Sequence, residues 1–383
     1  MSKINDLIKE LCPNGVQYKN YGDVFEIKTG KGITTKDASN DGLYPIISGG
    51  TTPMGYYNQY NRNENTVTVS RVGANAGFVS FIKEKFYLND KCFSIVPVTN
   101  YVNRLLPKFV FHYTKNIEKD IMKLQSEGGV PTINTRKVSN LLIPILPIEV
   151  QEEIVLILDK FGSLEAELEA ELEARKCQYE FWREKIINMY ESKNVKLSDM
   201  AKVYDGTHST PNYQLSGVPF ISVENISNIY GSNKFISEED YQKYKIKPEI
   251  NDVFMTRIGT IGKCSVFDKQ IDLAYYVSLA LIRPNTEIIL PKYLKYVIGS
   301  NIGKDELHKK TLVHAVPIKV NKDEIGKIVL PVPSIENQKT IIAMLDKFEL
   351  LTESISYGLP TEIELRRKQY EFYRNKLLSF EEV

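Results

Sequence analysis

The sequence predicts an α+β protein with an internal pseudo-two-fold repeat: two mixed strand-and-helix domains separated by two long antiparallel coiled-coil helices. Three observations predict it. An amphipathic phrase occurs twice, as ARKCQYEFWREK at 174–185 and LRRKQYEFYRNK at 365–376. Charge alternates along the chain in step with that repeat. Two long stretches are nearly free of Gly and Pro and carry narrow apolar stripes. The expected boundaries are a globular block at 1–147, a helical spacer at 148–192, a second block at 193–334 and a second spacer at 335–383.

Composition bounds the class. The 383 residues are 42% hydrophobic and 25% charged, which suits a soluble chain of two or three domains with ordinary cores. No run is long and apolar enough for a membrane span, and the opening MSKINDLIKELCPNG has no signal-peptide core. The four cysteines, Cys12, Cys92, Cys177 and Cys264, lie far apart. That reads as reduced thiols in a cytoplasm, not as a disulfide frame or zinc site. Net charge is only +1, yet by segment it is +6 for 1–147, −7 for 148–192, +4 for 193–334 and −2 for 335–383. Basic globular blocks thus alternate with acidic helical ones.

The repeat extends beyond the phrase. PILPIEVQEEIVLILDKF (144–161) aligns with PVPSIENQKTIIAMLDKF (331–348). NTVTVSRVGANAG (65–77) aligns with NDVFMTRIGTIG (251–262), and LPKFVFHYTKN (106–116) with LPKYLKYVIGSN (290–301). YGDVFEIKTG (21–30) aligns with LSDMAKVYDG (197–206). The short β-branched segments NTVTVSRVG, GFVSFI and KCFSIVPV, with their copies NDVFMTRIG, CSVF and LALIRP, predict strands. The LPK segments predict helices opened by proline.

Residues 149–190 hold one glycine, Gly162, and no proline, so they predict a single helix of about 63 Å. Leu164, Leu168 and Leu172 stack at i, i+4. Tyr179, Trp182, Ile186 and Met189 form a heptad-like seam, repeated at Tyr370, Tyr373, Leu377 and Phe380. The matching stripes are expected to pack on each other. The acidic LEAELEAELEA run between them reads as largely solvated. In the second copy YGLPTE (357–362) interrupts the pattern, so a break is expected there, with Pro360 opening a new segment.

These phrases carry a family resemblance. LCPNGVQYKNYGDV, IPILPIEVQEEIVLILDKF, ELEARKCQYEFWREKII and ISYGLPTEIELRRKQYEFYRNKLLSF resemble the specificity (S) subunit of Type I restriction-modification systems, over essentially the whole chain and in the right order. The resemblance implies that each globular block is a target recognition domain reading one half of a bipartite double-stranded DNA sequence. It also implies that the helices dock two methyltransferase (M) subunits, that restriction/motor (R) subunits join the assembly, and that the chain is non-catalytic. It has no cofactor of its own, and S-adenosylmethionine, ATP and magnesium are expected on the partner subunits. Exposed helix aromatics, Phe181 and Phe372, are the candidate methyltransferase contacts.

The residues agree on their own account. No G-x-x-x-x-G-K-[ST] or H-E-x-x-H is present, and His112, His208, His308 and His314 show no metal-ligand spacing. The Gly-rich SGGTTPMG (48–55) lacks the partner Lys and reads as a turn. Also missing are an Asn-Pro-Pro-aromatic tetrad and a nuclease carboxylate–lysine cluster. These absences weigh against a self-contained methyltransferase or nuclease. The basic blocks weigh against a bare coiled-coil adaptor. A silent gene copy serving as recombination donor stays open. Unlike blocks imply unlike half-sites, and the helix sets the unread gap: one LEAE unit adds about 6 Å against about 3.4 Å per base pair.

Candidate DNA contacts follow from donor chemistry. In the first block Lys28, Lys31 and Lys36 suit phosphate. Tyr57, Asn58 and Arg62, then Arg71 and Asn75, then Arg136 and Lys137 complete the set. In the second block the candidates are His208, Ser209, Asn212 and Tyr213, then Arg257 and Lys263, then His308, Lys309 and Lys310. Arg71 and Arg257 share a repeat position. That suits a shared role, whether phosphate contact, fold support or, less naturally, base readout. Tyr56, Tyr57 and Tyr60 suit either DNA contact or partial burial.

Overall fold

The computed structural model describes residues 2–39, 41–126, 128–352 and 359–380. It divides into two compact units, residues 1–169 with 363–383 and residues 170–362. The units do not follow the repeat boundaries, and the reason lies in the helices.

Each unit is built around the same sheet. In the first, Phe25–Thr29, Cys92–Pro97, Thr66–Ser70 and Val79–Ile82 lie side by side in that order, all antiparallel. In the second, Ala201–Asp205, Leu279–Pro284 and Val253–Ile258 repeat it, with Thr260–Val266 on the far side of Val253–Ile258. Alternating and β-branched residues drive these strands, and the central ones are buried on both faces: every residue of Thr66–Ser70 is buried. Beside each main sheet lies a three-stranded one containing a parallel pair, Tyr44–Ile47 with Tyr87–Leu88 and Val218–Ile221 with Ala274–Tyr275. A third pairing, Gln17–Asn20 with Leu142–Ile145 and Lys193–Lys196 with Val329–Val332, closes each block where its chain enters and leaves.

The repeat reaches individual backbone angles. Asn65 and Asn251 both take positive φ, 56° and 79°, in the left-handed region where asparagine is tolerated among non-glycine residues. Gly30 and Gly206 each end the first sheet strand. A Cβ there would lie 2.0 Å from the Leu88 carbonyl oxygen and 2.5 Å from the Tyr276 carbonyl carbon, so only glycine lets the two backbones approach.

The helix Ile148–Ile187 is continuous for 40 residues. Its residues up to 169 belong to the first unit and those from 170 to the second. In the counterpart the expected break falls on 353–358, outside the described residues. One helix spans Ile335–Thr352 and another Leu359–Leu377, with Pro360 in its first turn; Gly358 itself lies outside the described residues. Within the first unit, Phe161 stacks on Tyr373 at 5.4 Å and meets Tyr370 at 6.2 Å. One and two turns on, Arg367 pairs with Glu165 and Glu169. Numbers rise along one helix as they fall along the other, so the pair is antiparallel.

The seams have different partners from those their matching stripes suggest. Tyr370, Tyr373, Leu377 and Phe380 pack into the first unit's core with Ile154 and Leu158. Tyr179 and Ile186 pack into the second unit's core with Ile341, Leu345 and Phe348. Each tyrosine seam therefore lies on the Leu-Asp-Lys-Phe segment of the other repeat. Every unit combines one globular block, the first half of its own helix and the second half of the other copy's. Of the stacked leucines, Leu164 is exposed while Leu168 and Leu172 are half-buried, as a narrow seam between two acidic flanks requires.

Candidate nucleic-acid interface

The sheet strands of the first unit end in loops that are tied together along one edge. The Gly73 amide donates to the Pro131 carbonyl at 3.0 Å, and the Ile133 amide to that of Arg71 at 2.9 Å. Asn75 Nδ2 donates to the Gly49 carbonyl at 3.3 Å. Asn89 joins two more loops, donating from Nδ2 to the Ile33 carbonyl and from its amide to that of Ile47, both at 2.9 Å. The stretches 28–36, 47–62, 71–77 and 130–137 are thereby brought together, and SGGTTPMG is a turn within this edge. Lys28, Lys31, Lys36, Asn58, Asn75, Arg136 and Lys137 are exposed on it. Lys28 pairs with Glu26 of its own strand. Asn134 caps the helix bearing Arg136 and Lys137, accepting the Arg136 amide at 2.9 Å.

Two residues of this set are more occupied than their type suggests. Tyr57 is half-buried, edge-on to Tyr87 at 5.2 Å. Arg62 donates to Ser94 Oγ at 2.8 Å and to the carbonyls of Asn61 and Thr29 at 2.8 and 3.0 Å. Its guanidinium joins strands and loops, and burial draws its pKa down, opposed by Glu26. Its donors are thus engaged within the protein.

The second unit repeats the edge with other side chains. The Thr207 amide donates to the Tyr275 carbonyl at 3.2 Å, and the Gly259 amide to that of Ile318 at 2.8 Å. His208, Ser209, Asn212 and Tyr213 are exposed. Tyr213 leans on Phe220 at 5.6 Å with the Lys234 ammonium 5.7 Å from its ring. Lys263, His308 and Lys309 are exposed and Lys310 is half-buried; Lys309 holds Glu306 at 2.7 Å.

Arg71 and Arg257 occupy one backbone position in two settings. Arg71 is half-buried and donates from Nη1 to the Asp90 carbonyl at 3.2 Å. Arg257 is 6% exposed and its Nη1 pairs with Asp205, which stands where the first repeat has Thr29. Its buried Nε has no protein partner, and burial lowers its pKa. In the second unit Asp205 holds the guanidinium inward, while Arg71 stays at the rim.

Sequence reasoning missed the side chains that mount these edges on the helices. Gln151 and Gln338 are fully buried. Gln151 accepts the Leu106 amide at 2.9 Å and donates to the Arg104 and Leu146 carbonyls, both at 2.7 Å. Gln338 makes the same three bonds, to Leu290, Ile288 and Pro333, at 2.8, 2.9 and 2.9 Å. Their shared place in the aligned PILPIEVQ and PVPSIENQ segments was the signal that could have found them. Next to them His112 Nε2 lies 3.0 Å from Asp159, and Lys108 pairs with the same carboxylate. In the second unit Lys292 and Tyr296 meet Asp346 at 2.7 and 2.6 Å.

The helices also expose apolar surface. Phe181 is 54% and Phe372 61% exposed, at equivalent positions. In the second unit Trp182, Ile186, Met189, Met344, Lys347 and Phe348 line a shallow groove. Among the described residues no cluster of three or more His, Cys, Asp and Glu side chains is placed to hold a metal. Burial pushes the Cys92 thiol up to about 11, so it is inert at neutral pH.

Comparison with known proteins agrees with this organisation. The profile described as "Type I restriction modification DNA specificity domain" matches twice, at residues 13–174 and 189–365. A type I restriction enzyme specificity subunit from Escherichia coli is 27% identical, over 99% of this chain and 98% of its own length. One from Haemophilus influenzae is 31% identical over 77% of each chain. The crystal structure of a type I restriction-modification S subunit from M. genitalium superposes with a TM-score of 0.57 at 16% identity, covering 95% of this chain and 96% of the other. At that identity the likeness is one of fold.

Proposed function

The chain belongs to the family of type I restriction-modification specificity subunits, and on that premise we propose that it is the non-catalytic DNA-recognition subunit of such a complex. The observation that carries the reading is the pair of equivalent loop edges on repeated frames. The scaffolds match down to their glutamine clamps, whereas the loops differ in nearly every exposed side chain. Equivalent frames with unlike edges suit an asymmetric bipartite double-stranded DNA target. In the first unit Lys28, Lys31, Lys36, Arg71, Arg136 and Lys137 supply phosphate contacts, with Asn58 and Asn75 as base readers. In the second, His208, Ser209, Asn212 and Tyr213 take the reading role, with Lys263, His308, Lys309 and Lys310 on the backbone.

The internal repeat supports docking of two identical methyltransferase subunits, with Phe181 and Phe372 presenting equivalent anchors. Aromatic side chains of this exposure on a helix face are common binding anchors. Restriction/motor subunits complete the assembly. The partners supply methyl-donor and nucleotide chemistry, and the chain works in the cytoplasm, where genomic DNA is reached.

The test is co-expression with the neighbouring methyltransferase subunit in a modification-free host, followed by genome-wide mapping of methylated bases. A single bipartite motif with a constant gap is the expected result. Methylation at unrelated sites, or none from a co-purifying complex, overturns the reading.

A further inference from the structure

Both units present a loop tip carrying the same dipeptide. It is Val130-Pro131 in the first and Val316-Pro317 in the second. Each tip leads into an asparagine, Asn134 or Asn321, that precedes a short helix, Thr135–Ser139 or Lys322–Ile325. Each then enters the closing strand, Leu142–Ile145 or Val329–Val332. The glycine two residues after Arg71 or Arg257 anchors each tip, donating its amide to the Pro131 carbonyl in the first and, one residue beyond the proline, to the Ile318 carbonyl in the second. The residues before the dipeptide differ, Gly-Gly in one and His-Ala in the other.

The valines stand out in water. Val130 is 63% and Val316 99% exposed. A single exposed valine is ordinary, but this one recurs at one position of two domains whose other exposed loop residues diverge. Basic residues flank it in sequence. Lys309 and Lys319 are exposed on either side of the second tip, and Arg136 and Lys137 follow the first. An apolar tip flanked by cations on a loop edge suits nucleic acid: phosphates meet the cations, and an apolar side chain enters between bases. The same dipeptide cannot read two different sequences, so whatever it does must be common to both half-sites. One such function follows from the chemistry assigned to the partner. A methyltransferase must take its base out of the stack, at a cost in unstacking energy.

We propose that Val130-Pro131 and Val316-Pro317 are paired apolar wedges, each entering the base stack of its own half-site and holding open the step from which the methyltransferase extrudes its base. The inference rests on the specificity-subunit reading above.

The experiment uses the complete methyltransferase complex with Val130→Ser and Val316→Ser, singly and together, and with Val130→Thr and Val316→Thr as shape-conserving second variants. Thermal melting confirms that each variant is folded, as tips this exposed allow. Affinity is measured on the mapped duplex and on one carrying an abasic site opposite the target base, which is already unstacked. 2-Aminopurine at the target position reports extrusion. Each single serine variant is expected to bind the intact duplex about tenfold more weakly, the worth of one buried valine. It is also expected to dim the 2-aminopurine signal only in its own half-site, and to recover wild-type affinity on the abasic duplex. Equal loss on both duplexes, loss in the wrong half-site, or no loss overturns the wedge while leaving the specificity reading intact. A wild-type complex that methylates no bipartite site overturns both.

Discussion

Replacing Arg71 and Arg257 by alanine, one at a time, separates two consequences of a single repeat position. Arg257 is almost fully buried against Asp205, whose side chain is 28% exposed. Breaking a buried pair costs about 3–5 kcal/mol. Water reaches part of the orphaned Asp205, so we expect the lower part of that range or slightly less, about 2–3 kcal/mol. For a unit of this size that lowers the melting temperature by roughly 4–12 °C. Arg71 donates one rim hydrogen bond to a carbonyl, worth about 1 kcal/mol or less. The role proposed for it is in binding: losing one phosphate contact should reduce the slope of log affinity against log salt by about 0.9. The assays are thermal unfolding of each variant and a salt titration of DNA binding by the assembled complex. Arg71→Ala should change the slope with little change in melting, and Arg257→Ala should do the reverse. A reduced slope with unchanged melting for Arg257→Ala would refute the assignment of that side chain to fold support.

Other perturbations follow from the same geometry. Gln338→Leu strands one buried amide and two carbonyls, so it should destabilise the second unit by about 3–5 kcal/mol, and denaturant unfolding should show Gln151→Leu doing the same to the first. Inserting one LEAE unit between Leu164 and Ala174 lengthens the helix by about 6 Å and should shift the unread gap by one or two base pairs, with both half-sites unchanged in a methylation map. His112 has its pKa lowered by burial, opposed by its hydrogen bond to Asp159 and that carboxylate's charge, with Lys108 and Arg374 lowering it further. The unfolded chain therefore takes up the proton first. The stability held by neutral His112 is present above the ordinary value of 6.5 and is lost as pH falls below it. Chemical denaturation between pH 7.5 and 5.5 should show a smaller loss for His112→Phe than for the unaltered chain.

Much of this architecture was legible in the residues alone. The twofold repeat, the strand and LPK-helix positions, the long uninterrupted helix and the helix with Pro360 in its first turn all follow from local signals. Alternation, β-branching, proline and the lack of helix breakers act within a few residues and are written where they act. The duplication added a second reading of each signal, so a short strand such as Thr66–Ser70 could be checked against Val253–Ile258.

Tertiary structure decided the rest. Matching seams could not reveal that each packs on the other repeat's Leu-Asp-Lys-Phe segment, because a stripe states what it must bury and not against what. Nor could a shared arginine position reveal two environments. The difference is made by Asp205 against Thr29, more than forty residues away in each chain segment and adjacent only across the sheet. The glutamine clamps were visible as letters but not as clamps, since their partners are backbone groups that any residue supplies. Pattern alone set what each segment becomes. Which side chains are consumed by the fold and which are left for DNA depended on contacts between segments distant in sequence, where burial and hydrogen bonding compete for the same polar atoms.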